Sequence, residues 1–420
     1  MRKPSLLFIF LTVFIDLIGF GIVFPLLPKY VEDLGASGLM IGLIIASYSA
    51  MQFIFAPMWG RLSDRIGRRP VLLVSTAGFV ASYALFAIGS LMTAPAAALG
   101  MILGSRILGG ICGANITVAQ AYIADITPPE ERTKKMGLIG MAFGLGFICG
   151  PIIAIVGLLT LGKAGPGWIA AGICLLNLVL AFFILGESLK PGAQQAARRP
   201  GVNQWKEILA RPNIGLLVVV FFLSTFCFTC FESTLARLIA KNFHFDPKTH
   251  DGEMAIAAIF AYCGIVGAFV QGGPIGRLVK KMGEPKLIAF SLLLVGISLP
   301  LLPYAEGNTP LKFASLFGPG AAAWWFLLFA VGLLAVGSGL TRPPLFGLLS
   351  NLTPAHEQGA TLGVAQSAGS LARIVGPVFA SAMFDVKPSI PYLVCGALSL
   401  ATGYVAWKAI GRPKAATVAA

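Results

Sequence analysis

The chain has 420 residues, of which 57% are hydrophobic and only 11% are charged. Soluble domains carry about 25% charged residues, so this composition excludes a soluble globular protein and indicates that most of the surface lies in lipid. The net charge of +14 does not indicate nucleic acid binding, because Lys and Arg collect in alternate loops between apolar segments.

Twelve apolar segments are long enough to cross a bilayer as helices, which rise about 1.5 Å per residue. In chain order they are 6–28, 38–60, 70–92, 96–124, 134–160, 167–186, 213–240, 253–279, 285–303, 321–350, 358–384 and 389–410. Only helices or closed barrels satisfy the backbone in lipid, and runs of this length exclude barrel strands. The sequence therefore predicts an all-α integral membrane protein with twelve transmembrane helices.

The loops rich in Lys and Arg all lie on one side of the predicted membrane, and the opposite loops hold few. The positive-inside rule places these loops and both termini in the cytoplasm, which predicts a multi-pass protein of the cell (inner) membrane. The first apolar run is not predicted to be a signal peptide, because it is too long, Asp16 interrupts it and no small-residue cleavage site follows.

The longest polar stretch, 186–213, separates two parts of the chain that are similar to each other. The Gly-Pro pair at Gly150 recurs at Gly376, and the basic stretch 60–69 recurs more weakly at 276–283. Two parallel repeats of six helices are typical of secondary transporters. We therefore predict a six-helix bundle at 1–186, a cytoplasmic linker at 187–212 and a second six-helix bundle at 213–420.

A tight basic turn is predicted between segments 2 and 3. Its glycines permit close helix approach and a sharp reversal, and its arginines hold the loop in the cytoplasm. The residues concerned are Gly60, Asp64, Arg65, Gly67, Arg68 and Arg69. The turn is either a topology anchor alone or a site in which Asp64 has a further role. The second copy has Lys280 in place of that acid, so it is predicted to be mainly an anchor.

Several motifs occur in the order found in a known family. They are the turn itself (a Gly, then Asp-Arg, then Gly-Arg-Arg), Asp16-Leu-Ile-Gly19-Phe-Gly21, Phe55-Ala-Pro57, Arg106-Ile-Leu-Gly-Gly110, Ile123-Ala-Asp125 and Phe143-Gly-Leu-Gly146. With these motifs the chain resembles the major facilitator superfamily, and residues 1–190 are similar to its twelve-helix drug:proton antiporters, including the tetracycline-efflux proteins. The resemblance implies alternating access around a midplane cavity, driven by the proton gradient without a bound cofactor.

In that family, an acid at the end of helix 4 joins the charges of the turn in a cluster that latches the outward-facing state. The resemblance therefore implies an inner gate formed by Asp64, Arg65 and Asp125 with the remaining turn residues. A static surface ion pair, which contributes little, is the alternative interpretation.

The resemblance also implies a flexing motif in helix 5, where a proline removes an amide donor. The match to this motif is partial, and the residues that fit it are Gly146, Gly150 and Pro151. Ser82 stands where the tetracycline exporters carry an acid in helix 3, which argues against tetracycline as the substrate.

Two ionisable residues lie near mid-depth in the first half of the chain, Asp16 in segment 1 and Arg106 in segment 4. A charge at mid-bilayer costs at least about 2.5–3.5 kcal/mol, so it needs a partner, water or a function. The two side chains are expected to face one cavity and to pair, which would make proton uptake on Asp16 depend on conformation. A permanent structural ion pair is the alternative.

The second half offers Glu232 in segment 7 as a proton carrier or a contact for a cationic drug, unless it faces Arg237 or interfacial water. Arg342 in segment 10 either binds an anionic substrate or reaches the membrane interface. Arg373 in segment 11 is expected to face protein rather than substrate.

Two amide side chains on segment 4, Asn115 and Gln120, are candidates for lining the cavity, because they share a helix with Arg106. Linking neighbouring helices is the alternative role for each of them. No metal site is predicted, since the three histidines lie in loops and Cys227 and Cys230 lack further ligands.

The sequence thus predicts a proton-coupled secondary transporter that exports amphipathic drugs or small molecules. Its expected partners are a small-molecule substrate, protons and the lipid bilayer, and a monomer is expected. An importer or exporter of a metabolite or siderophore with the same fold is the first alternative. A membrane receptor or enzyme is the second, but no catalytic set and no nucleotide-binding motif is found, so the chain is not predicted to be an enzyme.

Overall fold

The computed structural model describes residues 4–23, 26–36, 38–189, 203–245, 250–307 and 321–410. These residues form helices and connecting turns, and no strand occurs among them. The helices are α1 (Leu6–Val23), α2 (Leu27–Asp33), α3 (Gly38–Ile66), α4 (Arg68–Leu91), α5 (Pro95–Gly113), α6 (Ile116–Ile126), α7 (Pro129–Leu161), α8 (Gly165–Ile184), α9 (Asn203–Ala210), α10 (Pro212–Asn242), α11 (His250–Gly272), α12 (Ile275–Met282), α13 (Glu284–Leu301), α14 (Ala321–Asn351), α15 (Gln358–Val386) and α16 (Ile390–Ile410).

Eleven stretches of the described chain are long and apolar enough to cross a membrane. One of them, Pro129–Ile184, contains both α7 and α8, and each of these helices has the length that a bilayer requires. The stretches therefore accommodate the twelve predicted crossings. Large apolar side chains remain exposed on these helices, for example Leu159 and Phe269, as expected for surfaces that face lipid.

The helices pack into an N-terminal half, α1–α8, and a C-terminal half, α10–α16. In the first half α1 packs against α7 and α8, and α4 packs against α5 and α8. In the second half α10 packs against α15, and α13 against α14 and α16. The halves meet where α3 contacts α15 and where α7 contacts α11 and α14. Most of the predicted linker, residues 190–202, lies outside the described residues.

Four predicted segments differ from the helices observed. Segment 8 (253–279) is broken, because α11 ends at Gly272 and the separate short helix α12 begins at Ile275. Segment 1 ends at Val23 and is followed by the separate short helix α2. The basic turn is shorter than predicted, because α3 stays helical to Ile66 and the chain reverses at Gly67 alone, where φ is 103°. Segment 4 is broken between α5 and α6, at Ala114 and Asn115.

The glycines of the helix-5 motif allow α7 to approach α1 closely. A Cβ atom at Gly150 would lie 2.6 Å from the Cα atom of Gly21, and one at Gly146 would lie 3.0 Å from the backbone of Leu17. Pro151 lies inside α7. These glycines therefore serve helix packing within the N-terminal half, and the flexing of this helix stays a prediction.

Candidate functional site

A buried charge cluster lies at the end of the bundle that carries the reversal at Gly67, here called the basic end. At its centre the Arg68 side chain is fully buried. It donates to Asp125 Oδ2 at 3.0 Å, to Ser63 Oγ at 2.7 Å and to Asp64 Oδ1. Arg68 thus contacts both acids, a role that the family resemblance implied for Arg65.

Asp64 of this cluster reaches the other half of the protein. Its two carboxylate oxygens accept backbone N–H groups of Gly359 at 3.1 Å and Ala360 at 3.0 Å, in the first turn of α15. A helix N-terminus carries unpaired N–H groups and partial positive charge, so a carboxylate is a favourable cap. The helices approach closely enough because Gly60 and Gly359 meet backbone to backbone, where a Cβ atom on either would clash. Asp64 therefore joins the two halves.

A second carboxylate, Glu187, stabilises the turn by capping the N-terminus of α4. It accepts the backbone N–H groups of Arg68 at 2.9 Å and Arg69 at 3.1 Å, and those of Ser188 and Leu189. A Cβ atom at Gly67 would overlap this carboxylate, which gives a second reason for a glycine there besides its positive φ. Glu187 is not among the site residues expected from the sequence, where the available signal is an acid directly after segment 6.

Further hydrogen bonds join the halves at the basic end, between α7 and the helices α13 and α14. Arg132 donates to the Ser350 carbonyl at 3.0 Å and to Asn351 Oδ1 at 3.3 Å. The Thr133 hydroxyl lies 3.2 Å from Glu284 Oε1. Glu284 directly follows the second basic stretch and is not part of it. The interpretation of that stretch as mainly an anchor stays a prediction.

Polar contacts continue from the basic end toward the middle of the bundle, along α15. Gln366 donates to Gln120 at 3.3 Å, and the Ser367 hydroxyl donates to the Phe53 carbonyl at 2.5 Å. Deeper still, Arg373 donates to Gln52 Oε1 at 3.0 Å. The two halves are thus in contact from the basic end to about mid-depth. Gln120 links the halves.

Asp16 is buried in α1 and accepts two amide side chains. Asn115 Nδ2 donates to Oδ2 at 2.9 Å, and Asn177 Nδ2 donates to Oδ1 at 3.1 Å. The expected ion pair between Asp16 and Arg106 is not formed, so that prediction is wrong for this conformation. The Arg106 guanidinium instead faces the rings of Tyr48 and Phe86.

Asn115 lies at the break between α5 and α6, where backbone carbonyls lose their helical partners. Neighbouring side chains satisfy three of them: Trp59 donates to Ile111 O at 2.7 Å, Ser75 to Cys112 O at 3.0 Å and Gln52 to Gly113 O at 3.0 Å. Irregular backbone at membrane depth is tolerated where protein or a cavity surrounds it. A small cavity does adjoin this break, lined by Val13, Asp16, Leu17, Phe20, Tyr48, Phe79, Gly113, Asn115 and Ile116.

Arg106 lies in an aromatic environment within the N-terminal half. Its guanidinium carbon is 5.9 Å from the ring centres of both Tyr48 and Phe86. Within the described chain its Nε and Nη2 atoms are buried without a hydrogen-bond partner. Cation–π contacts offset part of the burial cost of this charge.

Three half-buried charges lie well inside helices of the C-terminal half, namely Glu232, Arg342 and Arg373. Arg373 interacts electrostatically with Glu232 and Tyr48. The Arg342 guanidinium lies 5.3 Å from the Phe143 ring and 5.5 Å from the Phe221 ring. Arg373 is expected from the sequence to face protein, with a carboxyl as a partner. Its hydrogen bonds do go to protein atoms, and one partner, Gln52, lies in the N-terminal half. Its position on α15 gave no sign of this from sequence.

The family model of the Major Facilitator Superfamily matches residues 9–317 and 273–419. The chain belongs to this superfamily. Membership agrees with the all-helical fold and with the many membrane-spanning helices, and it identifies a multi-pass membrane transporter rather than an enzyme.

Among curated relatives, a class E tetracycline resistance protein of Escherichia coli is 34% identical over 87% of this chain and 84% of its own length. Multidrug resistance protein 2 of Bacillus subtilis (strain 168) is 29% identical over 94% of this chain and 92% of its own length. The crystal structure of the human organic anion transporter MFSD10 (TETRAN) superposes with a TM-score of 0.80 at 24% identity, covering 96% of this chain and 100% of that one. At that identity the superposition shows the shared fold.

Proposed function

We propose that this superfamily member exports amphipathic small molecules in exchange for protons, by alternating access between its two halves. It does so in the cell membrane with both termini in the cytoplasm, so that the basic end is the cytoplasmic end. The observation that carries the proposal is the pairing of an isolated buried acid, Asp16, with a broken helix at Asn115 beside a cavity.

Alternating access requires contacts between the halves that form in one state and break in the other. Asp64 contacts the first residues of α15, and Arg132 contacts the end of α14. Both contacts are of this kind, because each joins the halves at the cytoplasmic end. They support a state that is closed toward the cytoplasm. Breaking them would open the route by which a substrate enters from inside the cell.

Proton coupling is assigned to Asp16. An ionised Asp16 accepts one amide from Asn115 and one from Asn177, whereas a protonated carboxyl also presents an O–H donor. A change of protonation therefore changes the partner that Asp16 needs at the break between α5 and α6. Half-helices around a midplane site are the usual binding elements of secondary transporters. Protonation at this position can thus bias the arrangement of α5 and α6.

Export is supported by the relatives, which are named as tetracycline and multidrug resistance proteins. Ser82 takes no part in a charged site, because it is buried and its hydroxyl donates to the Ser105 carbonyl at 2.7 Å. We therefore propose an amphipathic compound other than tetracycline as the substrate.

The test uses purified protein in proteoliposomes with an imposed pH gradient and a matched set of naphthyl probes of fixed charge. The set is 1-naphthalenesulfonate, 1-naphthalenesulfonamide and trimethyl(1-naphthylmethyl)ammonium. At least one probe should accelerate dissipation of the pH gradient, and its transport should be driven by that gradient. Asp16→Asn should abolish the gradient-driven part while exchange at equal pH persists.

Asp385→Asn is the matched control, because this acid is exposed and pairs with Arg237 on the surface. It should behave as the unaltered protein does. Probe transport that ignores the pH gradient in the unaltered protein would disprove proton exchange.

A further inference from the structure

The middle of the bundle holds more basic than acidic side chains. Among the described residues, Asp16 and Glu232 are the acids near mid-depth, and Arg106, Arg342 and Arg373 are the bases. One positive charge is in excess even when both acids are ionised, and protonation of either acid increases the excess. Buried charge without a partner is costly. The interior is therefore suited to receive an anion.

Arg342, like Arg106, is an interior arginine without compensation. Within the described chain it has neither an ion-pair nor a hydrogen-bond partner, and its neighbours are the rings of Phe143 and Phe221. It lies about 13 Å of helical rise from the end of α14. Phe143 belongs to the N-terminal half, so the guanidinium extends into the contact between the halves rather than to the membrane interface.

Arg373 faces the same region, and some of its N–H groups already donate hydrogen bonds to protein atoms. Its Nη2 atom donates to Gln52 Oε1 and to Ser370 Oγ at 2.9 Å. Arg342 and Arg373 repel each other, and Glu232 attracts Arg373 without a direct ion pair. Two guanidinium groups that repel one another across a low-dielectric region become favourable neighbours when one anionic group lies between them.

The surroundings of the two arginines are aromatic. Phe143 and Phe221 flank Arg342, and Tyr48 lies near Arg373. A ligand with an anionic group and a flat apolar body would place the charge on the guanidinium groups and the body against these rings. A cationic ligand would meet the excess positive charge instead.

We infer that the transported compound is an amphipathic organic anion whose carboxylate or sulfonate group binds between Arg342 and Arg373. The inference rests on the proposed export function and names its substrate class. Outward movement of an anion from a cell with a negative interior is favoured by the membrane potential as well as by coupling to protons.

The experiment measures equilibrium binding of the three naphthyl probes to the purified full-length protein. The sulfonate should bind more tightly than the neutral sulfonamide, and the sulfonamide more tightly than the ammonium probe. Arg342→Gln should weaken sulfonate binding by about tenfold or more, since charge-assisted hydrogen bonds are lost. Sulfonamide binding should change by less than about twofold, which also shows that the variant is folded. Arg373→Gln should act in the same direction.

Arg237→Gln is the matched control, because Arg237 is a half-exposed arginine whose partner is Asp385. It should leave the order of the probes unchanged. Tighter binding of the ammonium probe, or an unchanged preference for the sulfonate in both Arg342→Gln and Arg373→Gln, would overturn the anion site. If the ammonium probe binds more tightly and also drives proton flux in proteoliposomes, the proposed export function stands although the anion site is disproved. If the sulfonate binds as expected but no probe responds to the pH gradient, the anion site stands and the proposed coupling fails.

Discussion

Asp64→Asn is expected to open the basic end of the protein. The substitution keeps the shape of the side chain but removes its charge and one of its two acceptor oxygens. In the structure those oxygens accept the N–H groups of Gly359 and Ala360 in the other half. The pair between Asp64 and Arg68 joins neighbouring helices of the same half, so it does not distinguish the closed from the open arrangement.

The magnitude follows from the contacts that exist only when the halves are closed. Hydrogen bonds to a charged group contribute about 1.5–3 kcal/mol each. A charge at a partly buried helix N-terminus contributes up to about 2 kcal/mol. Asparagine retains one of the two hydrogen bonds, so the closed arrangement should lose about 2 kcal/mol relative to the open one. That loss corresponds to roughly a thirtyfold change in their ratio.

The assay is a distance measurement by double electron–electron resonance in lipid nanodiscs. Spin labels at Ile66 and Leu352 occupy exposed positions at the basic end, one in each half. Asp64→Asn should shift the distribution toward longer distances. Asp125→Asn is the matched control, because Asp125 also pairs with Arg68 but makes no hydrogen bond to α15. It should lower thermal stability without a comparable shift.

An unchanged distance distribution in Asp64→Asn would refute the assignment of this carboxylate as a contact that closes the halves. An equal shift in Asp125→Asn would refute the reasoning as well, because the effect would then come from Arg68 and not from the cap on α15. Lys280→Gln, at the position that corresponds to Asp64 in the second repeat, should leave the distribution unchanged.

Three further substitutions test other parts of the structure. Glu232→Gln removes the carboxylate that attracts Arg373, so 1-naphthalenesulfonate should bind roughly three- to tenfold more tightly in equilibrium titrations; weaker binding would contradict this. Gly150→Ala places a methyl group against Gly21 and should cost about 1–3 kcal/mol in thermal unfolding, whereas Gly172→Ala, which has open space around it, should be neutral. Glu187→Gln weakens the cap on α4 and should cost about 2 kcal/mol, detected as a lower Tm; an unchanged Tm would show that this cap is dispensable.

The number of membrane-crossing segments could be read from the sequence, which also predicts the side of each loop. A bilayer imposes length and apolarity on each crossing segment separately, so these properties need no knowledge of neighbouring helices. Asp16 and Glu232 could be identified in the same way, because a charge within an apolar run can be recognised whatever the helix packs against. Asp64 and Asp125 lie at the ends of their segments, where a charged cluster is easily recognised.

The partners of these residues could not be read in this way, since they depend on the rotation of each helix about its own axis. Arg106 has the depth needed to meet Asp16, but its side chain points to Tyr48 and Phe86. The amides of Asn115 and Asn177 take its place on Asp16. Position along a helix gives depth, whereas direction is set by packing with the neighbouring helices.

The sequence alone determined that this is a membrane transporter of two similar halves, with a basic turn at Gly67 and a few isolated charges in its interior. Only the tertiary structure decided that Asp64 caps α15 of the opposite half and that Arg68 is the buried arginine between the acids. It also decided that Arg342 of α14 and Arg373 of α15 lie near enough to repel each other, which neither helix sequence predicts. The physical reason is that contacts between the halves join residues far apart in the chain. The residue pattern of one segment shows only whether that segment lies in lipid or in water.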